Sequence, residues 1–284
     1  RRQRQMCIRD RAIESPTYYG IFQVMESLGL HVVEVPSHSG DGVDLNYLED
    51  AISRFDIKAC LFVCNFNNPL GSLMPDENKR QLVELLTRKK IPLIEDDIYG
   101  ELYFGKTRPK TCKVYDKEGI VLQCGSFSKS LAPGYRIGWA VPGQYKERII
   151  ALKRMNNVST NTLLQEALSI FLQKGRYELH LRHLRKALHT QCLRYSQAIS
   201  EYFPEDTKVT RPQGGFSLWI ENHEKIDAFK LHKRALKHDI GIAPGHIFST
   251  QGQFQNYFRI SYGLPWTDHI DHGIKVLGDL IKKF

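Results

Sequence analysis

The sequence predicts an α/β protein: a mostly parallel central sheet flanked by helices in a large domain, followed by a smaller C-terminal α/β domain. Three observations carry this expectation. From Tyr18 onward, short apolar runs alternate with amphipathic stretches of helical length, the pattern of parallel strands joined by crossover helices. Polar clusters follow directly on three of the apolar runs, where an open sheet collects its ligands. Beyond Pro142 the chain changes to long helices and then to a second set of short strands.

In chain order, YYGIFQVMESLGL reads as an amphipathic helix closing near Gly29, and HVVEVPS as a short strand. VDLNYLEDAISRF is a helix opened by Asp44, whose side chain can accept a first-turn N–H. KACLFVCNF is a buried strand, with Cys60 and Cys64 on one face as small core residues. After the turn NNPLG comes the helix DENKRQLVELLTRKK, starting at Pro75 or Asp76. IPLIEDD is a strand ending in acids, GIVLQCGSFS is a further strand, and YRIGWAVP reads as another that can run antiparallel. One long helical stretch then covers QYKERIIALKRMNNVSTNTLLQEALSIFLQKG, and a second reaches about Phe203. The smaller unit follows as TKVTRPQGGFSLWIE, a helix from Lys225 to His238, IGIAP, NYFRISYG and a last helix to Phe284. The boundary between the large domain (12–175, with the long inter-domain helix) and the small one (176–284) is placed within the long helices. The opening RRQRQMCIRDR has five arginines, one aspartate and no period, so residues 1–11 are expected to be a non-native segment outside the fold.

The chain of 284 residues carries a net charge of +9, with 42% apolar and 25% charged residues, ordinary values for a soluble globular protein. No apolar run approaches the roughly 18 residues of a membrane span, and no secretory signal is visible, so the expectation is a cytoplasmic protein with reduced thiols. The six cysteines form no CxxC pair, and the pairs His180/His183 and His269/His272 lack acidic or cysteine partners, so no metal site is expected. The basic stretch from Arg176 to Arg194 reads as a solvated helix face, and no nucleic-acid motif or stacking platform accompanies it.

The chemistry lies in NFNNPLG, EDDIY and GSFSKSLAPGYRIGW, each after an apolar run. In the last, Lys129 stands among serines, with Arg136 beyond a Pro-Gly bend; this fits a site that holds an anionic ring compound and attacks it with an amine. Taken in order, NNPLG, EDDIYGELYF, SFSKSLAPGYRIGW, PQGGFSLW and NYFRISYG resemble the pyridoxal-phosphate-dependent aminotransferases of fold type I, over nearly everything after residue 12. The resemblance is closest to the aminotransferase-like domain of MocR-type GntR regulators and to related free-standing aminotransferases.

This resemblance implies a pyridoxal 5′-phosphate cofactor and amino-group transfer between an amino acid and a 2-oxo acid. Lys129 would bond covalently to the cofactor aldehyde and later move the substrate Cα proton. Asp96, rather than Asp97, would face the pyridine nitrogen; at about 3 Å and an effective dielectric near 20 the attraction is roughly 5 kcal/mol before desolvation. Tyr99 and Asn68 would hydrogen-bond the ring oxygen, Asn68 also lying beside the substrate. Ser126, Ser128 and Arg136 would bind the phosphate. Tyr18, with Tyr19 as the alternative, would stack on the ring, and Arg259 would clamp the substrate α-carboxylate. The family's glycine-rich phosphate turn and N-terminal arm belong upstream of residue 12, so the chain is expected to be an N-terminally truncated fragment whose sheet keeps a partly open edge. Two functions stay open: a homodimeric aminotransferase, or the ligand-sensing domain of a regulator that reaches DNA only through an upstream winged helix.

Overall fold

The computed structural model describes residues 10–284. Its first element, β1 (Asp10–Ser15), corrects the sequence reading: Asp10 and Arg11 belong to a strand, while residues 1–9 of the segment assigned as non-native lie outside the described part. The last four residues of DRAIES are buried, so the strand shows no alternation, and the arginines before it hide it in any composition window.

Around β1 the large sheet assembles from β2 (His31–His38), β3 (Gly42–Val43), β4 (Ile57–Phe62), β5 (Leu93–Asp96), β6 (Val121–Ser126) and β7 (Gly138–Val141). The strand order is β3-β2-β1-β4-β5-β6-β7. The five strands from β2 to β6 in that order are mutually parallel, whereas β3 and β7 pair antiparallel at the two edges. All four residues of β7 are exposed.

The expected helices are present. Between β1 and β2 runs α1 (Gly20–Ser27). In α2 (Leu45–Arg54) Asp44 caps the first turn, its side chain accepting from Tyr47 N at 2.9 Å. In α3 (Asp76–Lys89) acids occupy the first turn and bases the last, complementing the helix dipole, and Lys90 turns left-handed to end it. Leu82 and Leu86, one turn apart, are fully buried beneath the sheet, worth about 2 kcal/mol each.

The long stretch after Pro142 is two helices, α4 (Lys146–Asn157) and α5 (Thr162–Gln173), because Val158 takes a positive φ and Asn161 caps the next turn through Leu164 N. Gly175, also at positive φ, precedes α6 (Arg176–Tyr202). A four-stranded antiparallel sheet, ordered β10-β11-β9-β8, completes the chain. Its strands are β8 (Lys208–Val209), β9 (Ser217–Glu221), β10 (Ala243–Pro244) and β11 (Tyr257–Ser261). With α7 (Ala228–Leu236), α8 (Asp268–Lys282) and the C-terminal half of α6 it encloses a core that includes Ile199, Leu218, Leu231, Phe258 and Leu277. The same core takes in Tyr99 and Leu102 from the segment after β5, so the two sheets share buried side chains.

Candidate active site

Parallel pairing brings the carboxyl ends of β1, β4, β5 and β6 to one side of the sheet. Each is followed by a turn that carries predicted site residues, as expected of an open α/β sheet. The small sheet faces these turns with Arg259 and Ser261 from β11 and with Phe216, just before β9. Together they line a cavity of 330 Å³ walled by Tyr18, Tyr19, Val63, Asn68, Asp96, Ile98, Tyr99, Lys129, Phe216, Arg259 and Ser261, with Ile21. Six of the predicted residues therefore share one space: Tyr18, Asn68, Asp96, Tyr99, Lys129 and Arg259.

Asp96 is the last residue of β5 and accepts a hydrogen bond from Ile98 N at 3.3 Å. Burial raises its carboxyl to about 6, with Asp97 adding to the rise and Lys129 opposing it, so it is ionised at neutral pH. Its neighbour Asp97 points elsewhere. It accepts from Asn65 Nδ2 at 2.7 Å and from Arg108 Nη2, and Arg108 in turn reaches Glu101. This ion-paired turn holds the strand end from below and leaves Asp96 as the carboxylate on the cavity wall.

Arg259 donates from Nη1 to Asn68 Oδ1 at 2.9 Å, and its Nε is buried without a hydrogen-bond partner among the described residues. Burial pulls its guanidinium below the usual value, with the phenols of Tyr99, Tyr19 and Tyr18 opposing. A guanidinium with a buried unused donor has the chemistry to pair with an anion. Tyr99 is 7% exposed, and burial together with the Asp96 carboxylate pushes its phenol to about 12. Lys129 is exposed at the cavity mouth, its Nζ 5.8 Å from the centroid of the Phe216 ring, which also meets Tyr99 edge-on.

Tyr18 and Tyr19 both line the cavity, their rings 4.6 Å apart and tilted by 47°. Gly20 makes room for this pair: a Cβ there would lie 2.6 Å from the Tyr18 ring. Ser126, Ser128 and Arg136 lie outside the cavity walls. Ser126 Oγ and Ser128 Oγ are 2.9 Å apart on the turn into Lys129, and Arg136, at φ +52, is exposed on the bend before β7. Among the described residues, one group of three metal-type ligands gathers closely, Cys64, Glu95 and Cys112, and Glu95 there already accepts from Cys112 N and Lys113 N.

Three features escaped the sequence reading. Phe216 forms part of the wall; its motif PQGGFSLW was visible, but an aromatic after a glycine turn looks the same in a core. Glu14, buried on β1, accepts from Val63 N at 2.9 Å and Asn67 Nδ2 at 2.8 Å, tying down the turn that carries Asn68. Glu34, buried on β2, accepts from Ser15 Oγ, Ser249 Oγ, Thr250 N and Thr250 Oγ1 and so pins the segment after Phe248 to the large sheet. Nothing in the sequence pairs residues that lie 215 positions apart, as Glu34 and Ser249 do.

Comparison with known proteins agrees with this architecture. The family model described as aminotransferase class I and II matches residues 9–277. An Escherichia coli K12 protein described as an uncharacterised HTH-type transcriptional regulator, YdcR, is 40% identical over 271 residues, covering 95% of this chain and 58% of that protein. The 2-aminoadipate transaminase of Thermus thermophilus is 30% identical over 274 residues, covering 95% of this chain and 68% of that enzyme. Among solved structures, Pyrococcus horikoshii kynurenine aminotransferase, crystallised with PMP, superposes with a TM-score of 0.91 at 30% identity, covering 97% of this chain and 69% of that one. This chain thus spans little more than half the length of its E. coli relative and about two thirds of the two aminotransferases. With a matching family model over nearly its whole length and the fold type I architecture to go with it, the chain belongs to the class I and II aminotransferases.

Proposed function

We propose that this chain forms the body of a pyridoxal-5′-phosphate-dependent aminotransferase that moves an amino group between an amino acid and a 2-oxo acid. The observation that carries the reading is the meeting, in one 330 Å³ cavity, of an amine (Lys129), an ionised carboxylate (Asp96) and a guanidinium with a spare buried donor (Arg259). These are the groups such a cofactor and substrate need. When bound, the cofactor supplies an aldehyde for covalent attachment and a ring that withdraws electrons from the substrate Cα.

Lys129 is the only lysine on the cavity wall among the described residues, and it would hold the cofactor and then carry the Cα proton. Asp96 would keep the ring nitrogen protonated. Asn68 and Tyr99 would hold the ring oxygen, and Tyr18 with Tyr19 would cover the ring face. Ser126, Ser128 and Arg136 would take the phosphate beyond the cavity wall. Arg259, held by Asn68 Oδ1, would grip the substrate carboxylate and so orient one Cα bond. Val63, Ile98 and Phe216 would keep water from the reacting atoms. Assembly as a homodimer belongs to the same reading.

A second reading rests on the relatives at 40% and 38% identity, both described as HTH-type transcriptional regulators and covered over only 58% and 57% of their length. There the pocket would bind the cofactor or its amino-acid adduct and signal to a DNA-binding part. Borohydride reduction of the cofactor-loaded protein, followed by peptide mapping, tests what the two share: an adduct at Lys129 is expected, and its loss in Lys129→Ala. No adduct in the parent protein sinks both. A panel of amino acids separates them. Conversion of the cofactor's visible band to that of its amine form marks the enzyme, and a band that shifts without turnover marks the sensor.

A further inference from the structure

Lys129 is exposed, and among the described residues its ring contact is with Phe216 alone, so packing of its own side chain does little to place it. Its backbone is held instead from both sides. On one side Ser128 N donates to Ser126 Oγ at 3.0 Å. On the other, Ser130 is 1% exposed and is gripped twice by the first two turns of α6. Tyr177 Oη lies 2.7 Å from Ser130 Oγ, and His180 Nε2 lies 2.9 Å from the Ser130 carbonyl oxygen. A carbonyl only accepts, so His180 donates and carries its proton on Nε2. Tyr177 and His180 are three residues apart and share one helix face, and the Tyr177 ring also meets Phe127 edge-on at 5.6 Å. His180, expected from the sequence to be a surface residue, is therefore part of a brace.

The brace has a rigid backing. Two turns along, Arg185 donates to the Glu101 carbonyl at 2.8 Å and to its carboxylate at 3.2 Å, beyond the strand that ends in Asp96. Further on, Leu188, Cys192 and Ile199 are buried in the core of the small sheet. One helix thus spans from that core to the residue after the lysine.

Resting on the aminotransferase reading, we infer that Tyr177 and His180 are positioning residues for Lys129: they fix the backbone from which its amine reaches into the cavity. Neither lines the cavity, so neither touches a reacting atom.

The test uses the full chain with and without pyridoxal 5′-phosphate. In the cofactor-free protein, acetylation of Lys129 by acetic anhydride is followed by peptide mapping. In the loaded protein, the midpoint pH of the cofactor's visible band and the rate of borohydride trapping at Lys129 are measured. In Tyr177→Phe and His180→Leu, trapping is expected to slow by roughly three- to tenfold, the scale of one lost hydrogen bond. The midpoint pH and the acetylation rate are expected to move with it. His180→Gln, which keeps a donor of similar reach, is expected to recover most of the loss. Melting temperatures identify any variant that fails to fold. Folded variants that trap, titrate and acetylate as the parent does overturn the inference, as does Gln behaving like Leu at position 180. A parent protein that forms no adduct at Lys129 overturns the cofactor reading itself, and the acetylation rates then judge the brace alone.

Discussion

Arg259 Nη1 reaches Asn68 Oδ1 at 2.9 Å across 191 residues of chain, joining the antiparallel sheet to the turn after β4. The bond fixes one edge of the guanidinium, and Nε is buried without a hydrogen-bond partner among the described residues. Arg259→Lys would keep the charge but lose the planar fork. Substrate affinity, read as KM or as the Kd of an unreactive carboxylate, is expected to weaken by roughly 10- to 100-fold. Cofactor loading should stay near that of the parent. An unchanged KM would remove Arg259 from the carboxylate clamp.

In the proposed reading, Asp96 is expected to set the pH dependence of cofactor binding. Burial raises its carboxyl from 3.8 to about 6, so it is charged above that pH and neutral below it. Cofactor Kd is expected to be flat above pH 6 and to rise by about tenfold per pH unit below it. In Asp96→Asn the Kd should be weak and flat across the same range, with kcat lower by roughly 100-fold or more. Equilibrium dialysis from pH 4.5 to 8 reads this directly, and a variant with the parent's pH profile would assign the titration elsewhere.

Glu14 makes the opposite kind of contribution, to stability. Burial raises it from 4.5 to about 8 against the hydrogen bonds from Val63 N and Asn67 Nδ2. Between those values the folded chain holds a proton that the unfolded chain has released, so stability falls as pH rises through the window. Its share of the slope is at most about 1.4 kcal/mol per pH unit. Glu95, raised to about 7, adds to the same trend. Chemical denaturation at intervals from pH 5 to 9 is expected to show a shallower decline in Glu14→Gln than in the parent. Parallel curves would mean that Glu14 does not titrate in this range.

Glu34 serves four donors from two distant segments. Glu34→Ala would leave the buried Ser15 and Ser249 hydroxyls without this acceptor, at a cost of about 3 kcal/mol, while Thr250 is exposed and can turn to water. Glu34→Gln keeps one carbonyl and should lose less. Because Phe248 packs on Trp219 and lies 5.6 Å from the Arg259 guanidinium, the alanine variant is also expected to bind carboxylates more weakly. Thermal melts and carboxylate titrations give the two readouts, and a variant melting with the parent would show that water replaces the carboxylate.

Much of this was legible in the chain because it was local. Asp44 and the charged ends of α3 announce their helices, and the EDDIY and SFSK turns mark strand ends by contrast with the apolar runs before them. Asp96 was distinguishable from Asp97 only by family pattern. The structure supplies the physical difference, since Asp97 is engaged by Asn65 and Arg108. What stayed hidden was nonlocal or masked. The strand DRAIES has no period because its last four residues are buried, and its arginine-rich approach overwhelms its composition. The break at Val158 depends on a backbone conformation that valine rarely favours. The Glu34 latch and the Tyr177–Ser130 contact join segments whose meeting is decided by tertiary packing alone.

The interior place of β1 bears on how the chain acquires its shape during synthesis. Its two hydrogen-bonding neighbours, β2 and β4, end by residue 62, so three adjacent strands of the large sheet come from one short stretch of chain. That stretch can zip together while the segments after it are still being made, with little entropy spent on closing loops. Arg259, by contrast, follows these strands by nearly 200 residues, so the wall it adds to the cavity can close only after they have paired.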